Sequence, residues 1–264
     1  MKKAFSTLLT LCVALGLLAI TPITASAATI ETSTQAELTS ALSAAASGDT
    51  IKLTADINYN THMNIVGKNI TFDLNGFKLN ATAGLRVESC KLLLADPRNG
   101  EFNVSASHPS FNVQVYGTST RAEITSATTA TANYAVYGNA GETIVYGDVT
   151  QNNGGSADYC GVWTMNGNIT VKGKITAAGS AAYTKFGPLG SATDKAQAEY
   201  TVPSTKTGYF TYTHGTYGSV WVKDPDYVPP PEPSKGIFGT KPQYNKWYHY
   251  ILFFLGFGFI WMWF

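Results

Sequence analysis

An internal repeat is the feature of this sequence that most restricts its fold. Tyr134–Thr150 aligns with Cys160–Thr176 at a shift of 26 residues. The matching positions are Val136 with Val162, Tyr137 with Trp163, Gly141 with Gly167, Val145 with Val171, Gly147 with Gly173, Val149 with Ile175 and Thr150 with Thr176. A period of roughly 20–50 residues is typical of solenoids, in which each turn buries its inner face only against its neighbours. The repeat therefore predicts an all-β parallel solenoid, and a sandwich with two similar hairpins is the alternative.

One helix is expected before the repeats, followed by many short strands. Its apolar face consists of residues at helical spacing, namely Leu38, Ala41, Leu42 and Ala45. Ser33 or Thr34 can cap its start, and Gly48 with Asp49 ends it. Runs of β-branched and aromatic residues, separated by Gly, Asn and Asp, then indicate strands. These runs include Thr50–Leu53, Asn69–Leu74, Leu85–Leu94, Phe102–Val104 and Val113–Tyr116.

Two phrases at this end of the chain carry a resemblance to a known family. They are the helical segment that runs into Ser47-Gly-Asp-Thr-Ile-Lys-Leu53, and Asn69-Ile-Thr-Phe-Asp-Leu-Asn-Gly76. Over about 45 residues the chain resembles the opening of right-handed parallel β-helix proteins of the pectin-lyase-like type. The resemblance implies a helical cap at residues 28–49 and a right-handed parallel β-helix at residues 50–223.

The first 27 residues have the three parts of a bacterial export signal. Lys2 and Lys3 precede an apolar run, Leu8–Ile20, and the sequence Ala25-Ser-Ala27 has the small-x-small pattern of a cleavage site. We expect the mature chain to begin at Ala28. It then keeps 16 of the 18 basic residues against 17 acidic ones, and this near-neutral balance argues against a nucleic-acid partner.

Residues 247–264 are predicted to be a transmembrane helix that anchors the protein in the lipid bilayer. They contain no Asp, Glu, Lys or Arg, and Trp or Tyr residues lie at both ends, as in membrane-interface belts. A Pro-rich linker at residues 224–246 precedes them, and the tail resembles those of surface proteins of anaerobic Gram-positive bacteria. The alternative is an apolar segment that docks on the domain or forms an oligomer. The expected location is the outer face of the cytoplasmic membrane, at the cell surface.

No catalytic residue, metal site or cofactor is predicted. The coil contains no Asp-Asp pair and no Arg-x-Pro-x-x-Arg phrase, and the four histidines lack metal-ligand spacing. A polysaccharide lyase or glycoside hydrolase of the same fold remains the alternative, because parallel coils bring distant acids together. The acids considered are Asp73, Glu88, Asp96 and Glu101.

Cys90 and Cys160 are expected either to pair or to be buried thiols.

The repeat also predicts which side chains face solvent. Lys172 is too costly to bury in a dry coil, so Lys172 and its repeat partner Tyr146 should face outward. If Val136 and Val162 face inward, alternation places Tyr137 and Trp163 outside, one above the other. We predict that Tyr137, Trp163 and Tyr146 form an exposed aromatic platform for a glycan or cell-surface polymer. The alternatives are that these rings only cover the sheet, or that the protein is a structural or adhesive stalk contacting another protein.

Overall fold

The computed structural model of this chain describes residues 27–106, 112–131, 133–188, 190–230, 235–236 and 239–240. The chain divides into two compact units, Met1–Lys223 and Asp224–Phe264. The predicted export signal lies outside the described residues up to residue 26, as does the whole predicted transmembrane helix at 247–264. No helix within the described ranges is long and apolar enough to cross a membrane. In the second unit, β23 (Lys235–Gly236) pairs antiparallel with β24 (Gly239–Thr240).

Three sheets form the first unit. Sheet 1 contains, in spatial order, β1 (Thr29–Thr32), β2 (Thr50–Leu53), β5 (Ile70–Asp73), β8 (Lys91–Leu94), β11 (Arg121–Ile124), β14 (Glu142–Val145), β17 (Asn168–Val171), β22 (Ser219–Lys223) and β21 (Tyr209–Thr213). Sheet 2 contains β3 (Ile57–Tyr59), β6 (Lys78–Ala81), β9 (Glu101–Ala106), β12 (Ser126–Thr129), β15 (Val149–Gln151) and β18 (Ile175–Ala177). Sheet 3 contains β4 (Met63–Val66), β7 (Leu85–Glu88), β10 (Val113–Tyr116), β13 (Tyr134–Asn139), β16 (Cys160–Thr164), β19 (Ala182–Phe186) and β20 (Thr193–Lys195).

The predicted parallel solenoid is confirmed. Each turn adds one strand to each sheet in the order sheet 1, sheet 2, sheet 3, and six successive described turns run from β2 to β19 before β22 begins a seventh. Neighbouring turns differ by 21 residues where Thr50 pairs with Thr71 and by 28 where Leu85 pairs with Val113. The repeat has the expected register, since Val136, Val145 and Val149 pair directly with Val162, Val171 and Ile175.

The core is the column of side chains that the strands send inward. In strands such as β5, alternation buries every second residue, here Ile70 and Phe72, whereas β16 is buried on both faces. The rings of Phe72 and Phe102, from sheets 1 and 2, meet edge to face at 5.4 Å. The run Leu85–Leu94, which the sequence suggested as one strand, contains two, because the chain turns a corner at Ser89 with φ of +54°.

The predicted cap is confirmed as helix α1 (Gln35–Ala44), packed at the first turn of the coil. Thr34 is its N-cap and accepts a hydrogen bond from the Glu37 N–H at 3.2 Å, while the Glu37 carboxylate accepts from the Ser33 N–H at 2.7 Å. The first bond satisfies an N–H group that the helix start leaves unpaired, and the second holds Glu37 to the residue before the N-cap. At the other end, the Lys68 ammonium donates to the carbonyls of Leu42 and Ala45. Strand β1 precedes the helix in a segment that the sequence indicated only as helical.

The last turns close differently from the regular coil. After β19 the chain reverses, and β20 pairs antiparallel with β19 at the edge of sheet 3. The chain then forms the antiparallel pair β21–β22, and β22 adds in parallel to β17. Residues 187–218 therefore leave the path of the coil, although the sequence predicted one continuous β-helix to residue 223. Strand β18 is the last strand of sheet 2.

We expect Gly218→Ala to destabilise the solenoid more than Gly190→Ala. Both glycines have similar positive φ, +89° and +86°, so both alanines carry a similar backbone strain of about 1–3 kcal/mol. A Cβ at residue 218 would also lie 2.0 Å from the Gly167 carbonyl oxygen, whereas one at residue 190 would meet nothing within 4 Å. Overpacking adds about 1–3 kcal/mol, so urea unfolding should show a clearly lower midpoint for Gly218→Ala. Equal midpoints would contradict the close approach of β22 to β17.

Candidate functional site

The three side chains predicted to bind a glycan lie on two different faces. Tyr137 and Trp163 are paired neighbours on β13 and β16, outside sheet 3. Tyr146 follows β14 of sheet 1, where its ring lies 4.0 Å from the Lys172 ammonium. Tyr146 and Lys172 both keep part of their surface exposed, as alternation predicted. The single platform of three rings is therefore not formed.

Outside sheet 3, four rings form an aromatic cluster, which consists of Tyr116, Tyr134, Tyr137 and Trp163. The Tyr137 ring lies 5.7 Å from the Tyr116 ring and 5.4 Å from the Trp163 ring, in both cases edge to face. The Tyr134 ring lies 5.9 Å from Trp163. The expected position of Tyr137 and Trp163, one above the other on successive turns, is thus confirmed. Burial raises the pKa of both Tyr134 and Tyr137.

The expectation that Trp163 is exposed is wrong, because its side chain has only 6% relative exposure. Its indole N–H donates to the Gly187 carbonyl at 2.8 Å. The antiparallel strand β20 is held on β19 beside it, with the Lys185 ammonium 2.9 Å from the Asp194 carboxylate. The chain reversal after β19 therefore covers one end of the aromatic cluster. Tyr116 and Tyr137 remain half-buried at the other end.

A groove of about 960 Å³, the sheet 1 groove, lies outside sheet 1. It is lined by Lys91, Thr118, Ser119, Thr120, Arg121, Ala140, Gly141, Glu142, Asn166, Asn168, Thr205, Lys206 and Trp221. Its floor is a row of outward side chains on β8, β11, β14 and β17, since Arg121 pairs with both Lys91 and Glu142, and Glu142 pairs with Asn168. Its far wall comes from the segment before β21 and from β22. Only this last wall depends on the part of the chain without repeats.

Arg121 organises the charges of the groove floor. Its guanidinium lies 2.6 Å from the Glu123 carboxylate and 2.5 Å from the Glu142 carboxylate. Burial opposes its charge, but the bond to Glu123 and the charges of both carboxylates outweigh burial and raise its pKa. Glu123 is buried and also accepts from the Leu94 N–H at 3.0 Å. Both acids are therefore bound to the protein, and Glu142 is the one that reaches the groove.

Lys206 and Trp221 form the wall of the groove. The Lys206 ammonium donates to the Thr170 hydroxyl at 2.9 Å and lies 5.0 Å from the Trp221 ring and 4.9 Å from the Tyr209 ring. The Trp221 indole N–H donates to the Thr205 hydroxyl at 2.9 Å. Burial lowers the pKa of Lys206, while the charge of Glu142 opposes that shift. Within the described residues, Lys206 has no carboxylate at ion-pair distance.

The sequence alone did not indicate Lys206 or Trp221. Lys206 bonds to Thr170, which lies 36 residues earlier, and it belongs to the segment outside the repeat. Trp221 was visible only as an aromatic residue in a terminal strand. The available signals were a lysine followed by two aromatic residues in Lys206–Phe210, and a tryptophan between two valines in Ser219–Val222. Those signals do not say that the two segments pair.

A second, smaller cleft of about 630 Å³ lies beside β18. Strand β18 and the segment after β20 line it, with Lys174, Asp194, Lys195 and Glu199 among its residues. The only ring that reaches it belongs to Tyr183, which is buried. The cleft therefore offers mixed charges without an exposed aromatic face, and the sheet 1 groove is the better candidate for a sugar.

Of the four acids considered as a possible cluster, three belong to different sheets, and Asp96 lies in the turn between β8 and β9, where it accepts from the Arg98 N–H. Asp73 is in sheet 1, Glu88 is in sheet 3 and Glu101 is in sheet 2. Glu88 pairs with Arg86 at 2.5 Å and Glu101 with Lys78 at 3.2 Å. Across the ranges that the structure describes, no group of three or more His, Cys, Asp or Glu side chains is placed to hold a metal ion.

Cys90 and Cys160 are free thiols rather than a pair. Both side chains are buried, and burial raises the pKa of each. The protonated thiol is the unreactive form, so these residues behave as small core side chains. Of the two expectations from the sequence, buried thiols are the one confirmed.

Comparison with protein families, with curated proteins and with solved structures finds no match to this chain.

We expect Trp163→Ala to lower the free energy of unfolding by about 3 kcal/mol or more, because it removes a buried ring and the bond to Gly187. Trp163→Phe should lose only about 1 kcal/mol, since it keeps most of the apolar contact and removes the hydrogen bond. Trp221→Ala is the control, because it truncates a ring that is half-exposed and should therefore lower the free energy of unfolding less than Trp163→Ala. Urea unfolding followed by circular dichroism measures all three, and a harmless Trp163→Ala would mean that residues 187–195 do not cover the ring.

Proposed function

We propose that this protein is a cell-surface β-solenoid that binds a glycan chain in the sheet 1 groove. The observation that carries the proposal is the half-exposed Trp221 ring beside Lys206 in a groove that also presents amide and hydroxyl groups. Sugar rings offer an apolar C–H face to an aromatic ring and hydroxyls to polar side chains. A binding site with one aromatic face and a few convergent polar groups suits such a ligand.

The dimensions and charges of the groove support a chain-like ligand. Four strands, β8 to β17, contribute to its floor, which corresponds to roughly 14 Å at a strand spacing of ~4.8 Å. Its volume of about 960 Å³ is near the upper end of ordinary ligand sites. Asn166 and Asn168 offer amide donors and acceptors, and Lys206 offers a charge without an ion-pair partner among the described residues. The ligand is expected to bind across the turns.

We also propose that the protein is exported through residues 1–27 and tethered to the membrane by residues 247–264, with residues 224–246 as a spacer. The charge pattern of the first segment and the uncharged, aromatic-flanked second segment support this placement. The three parallel sheets and the capping helix are compatible with the right-handed, pectin-lyase-like coil that the opening of the chain resembles. The lipid bilayer is then the second partner.

Binding without cleavage is the role that the acids of the groove favour. Glu123 and Glu142 both bond to one guanidinium, that of Arg121. Glycoside hydrolysis ordinarily uses a pair of carboxyl groups, whereas Glu142 is the one acid among the described residues that line the groove. The polysaccharide-degrading alternative predicts release of new chain ends during the same experiment.

The test uses the chain from Ala28 to Phe264 in detergent, in affinity gels that contain one of a panel of neutral or anionic polysaccharides. We expect one polymer to retard the protein. Trp221→Ala and Lys206→Met should each weaken that retardation about tenfold or more, since a lost aromatic contact and a lost charge-assisted bond each contribute about 1–2 kcal/mol. Tyr137→Ala, on the other outer face, should leave binding unchanged.

Three outcomes would contradict the proposal. Free migration of the wild-type protein in every gel argues against glycan binding and favours a stalk that meets another protein. Retardation that Tyr137→Ala abolishes while Trp221→Ala does not would move the site to the aromatic cluster. New polysaccharide ends, measured as reducing sugar or unsaturated product, would make the protein an enzyme.

A further inference from the structure

The backbone N–H of Ala28 is held by a buried carboxylate. It donates to Asp49 Oδ1 at 2.8 Å, while the Ala46 N–H donates to Asp49 Oδ2 at 2.9 Å. Asp49 keeps 7% relative exposure and lies between the end of α1 and the start of β2. Both carboxylate oxygens therefore have a backbone donor, but neither donor carries a charge.

The peptide bond before Ala28 lies just outside the folded coil. Ala27 and Ala28 are both exposed, and β1 begins one residue later at Thr29. The Ala28 carbonyl already accepts from the Thr50 N–H at 2.8 Å, and β1 pairs with β2 from Thr29 onward. A break between Ala27 and Ala28 thus removes no hydrogen bond of the β1–β2 ladder.

The sequence independently points to the same bond. Ala25 and Ala27 are the two small residues of a signal-peptide cleavage pattern, which places the cut directly before Ala28. The pattern comes from residues that precede the solenoid, whereas the contact to Asp49 comes from its folded cap. Both observations concern the backbone nitrogen of Ala28.

We propose that the Ala27–Ala28 bond is the processing site of this protein and that the new α-ammonium of Ala28 forms an ion pair with Asp49. This inference rests on the export that is part of the proposed function. An endopeptidase of the export machinery adds water across the bond: the C–N bond breaks, the carbonyl carbon of Ala27 takes the oxygen and becomes a carboxylate, and the nitrogen of Ala28 gains hydrogen. At neutral pH that amine binds a further proton and becomes an ammonium.

Cleavage then changes the strength of an existing contact without moving its atoms. Before cleavage, Asp49 accepts from a neutral amide, and after cleavage it accepts from a cation at the same position. The bond from the Ala28 amide to the Asp49 carboxylate is already charge-assisted, and an ammonium at the same position adds the attraction between two opposite charges. The processed chain therefore has the more stable cap, and the precursor, which must cross the membrane unfolded, has the weaker one.

The charged side chains nearest to Ala28 and Asp49 are bound to other partners. Lys68 binds the carbonyls at the end of α1, including Ala45. On the adjoining strands, Glu31 of β1 pairs with Lys52 of β2 at 3.4 Å. The bonds from Ala28 and Ala46 already lower the pKa of Asp49, so its carboxylate is ionised when the ammonium forms.

The first test compares four full mature chains, residues 28–264 in detergent, at pH 6.5. They carry either a free or an acetylated Ala28 nitrogen, each with Asp49 or with Asp49→Asn. Acetylation keeps an N–H and removes the charge. We expect the free amine to have the higher urea midpoint in the Asp49 chains and no such advantage in the Asp49→Asn chains. An equal effect of acetylation in both backgrounds overturns the ion pair, even though Asp49→Asn also weakens the bond to Ala46.

The second test follows the same advantage with pH. An α-amine ordinarily has a pKa of about 7.7–8.0, and a nearby carboxylate raises it in the folded state. The advantage of the free amine should therefore be complete below about pH 7.5 and disappear as pH rises through the folded-state pKa. Isotope-labelled α-amine observed by NMR should titrate above pH 8 in the Asp49 chain and in the ordinary range in Asp49→Asn. Identical titrations overturn the proposal.

The third test locates the cut in the precursor, expressed in a secreting bacterial host and recovered from its membranes. Mass spectrometry should find Ala28 as the first residue. A chain that keeps residues 1–27 overturns the processing site, and if protease added to intact cells also fails to reach it, the export proposal is overturned as well. A cut at another bond overturns only the processing site, and a cut at Ala28 without a stability advantage overturns only the ion pair. Glycan binding is measured separately on the same protein.

Discussion

The structure depends on the stacking of one turn of the coil on the next. Inward side chains at the same position of successive turns, such as Val145 and Val171, lie directly above one another in parallel strands. Burial of these apolar columns is the main favourable term for such a coil, because each turn has no core of its own. The same alternation fixes what faces outward. Tyr137, Trp163 and Arg121 point outward from the coil because their strand neighbours point into the core.

A stack of this kind must be closed at both ends, and the two closures shape the surfaces that can act. At the first turn, α1 covers the core with Leu38 and Ala41, and Asp49 joins the end of the helix to Ala28. At the last turns, the antiparallel strands cover Trp163 and bring Lys206 over sheet 1. The proposed N-terminal ion pair therefore belongs to the first closure, and the proposed glycan site combines a floor on regular turns with a wall from the second closure.

Only 13% of the residues of this protein are charged. Most described ion pairs join neighbouring or same-strand positions of the coil, as Arg121 does with Glu123 and Glu142. Exposed pairs of this type contribute little to stability. Lys206 differs, because its ammonium contacts two aromatic rings and a hydroxyl. A cation that is already partly desolvated and has no carboxylate beside it among the described residues is well placed to meet a ligand.

The repeat in the sequence determined the coil, its register and the inward or outward direction of its side chains, because a side chain in a parallel coil meets mainly the equivalent residues of the adjacent turns. Local spacing also determined the capped helix around Thr34. The repeat did not show that Tyr146 and Tyr137 lie on different outer faces, since alternation distinguishes inside from outside but not one outer face from another. Nor did it show that Trp163 is covered or that Lys206 reaches Thr170. Those contacts arise where the chain reverses after β19, and only the tertiary structure decides how a segment without repeats packs back on the coil.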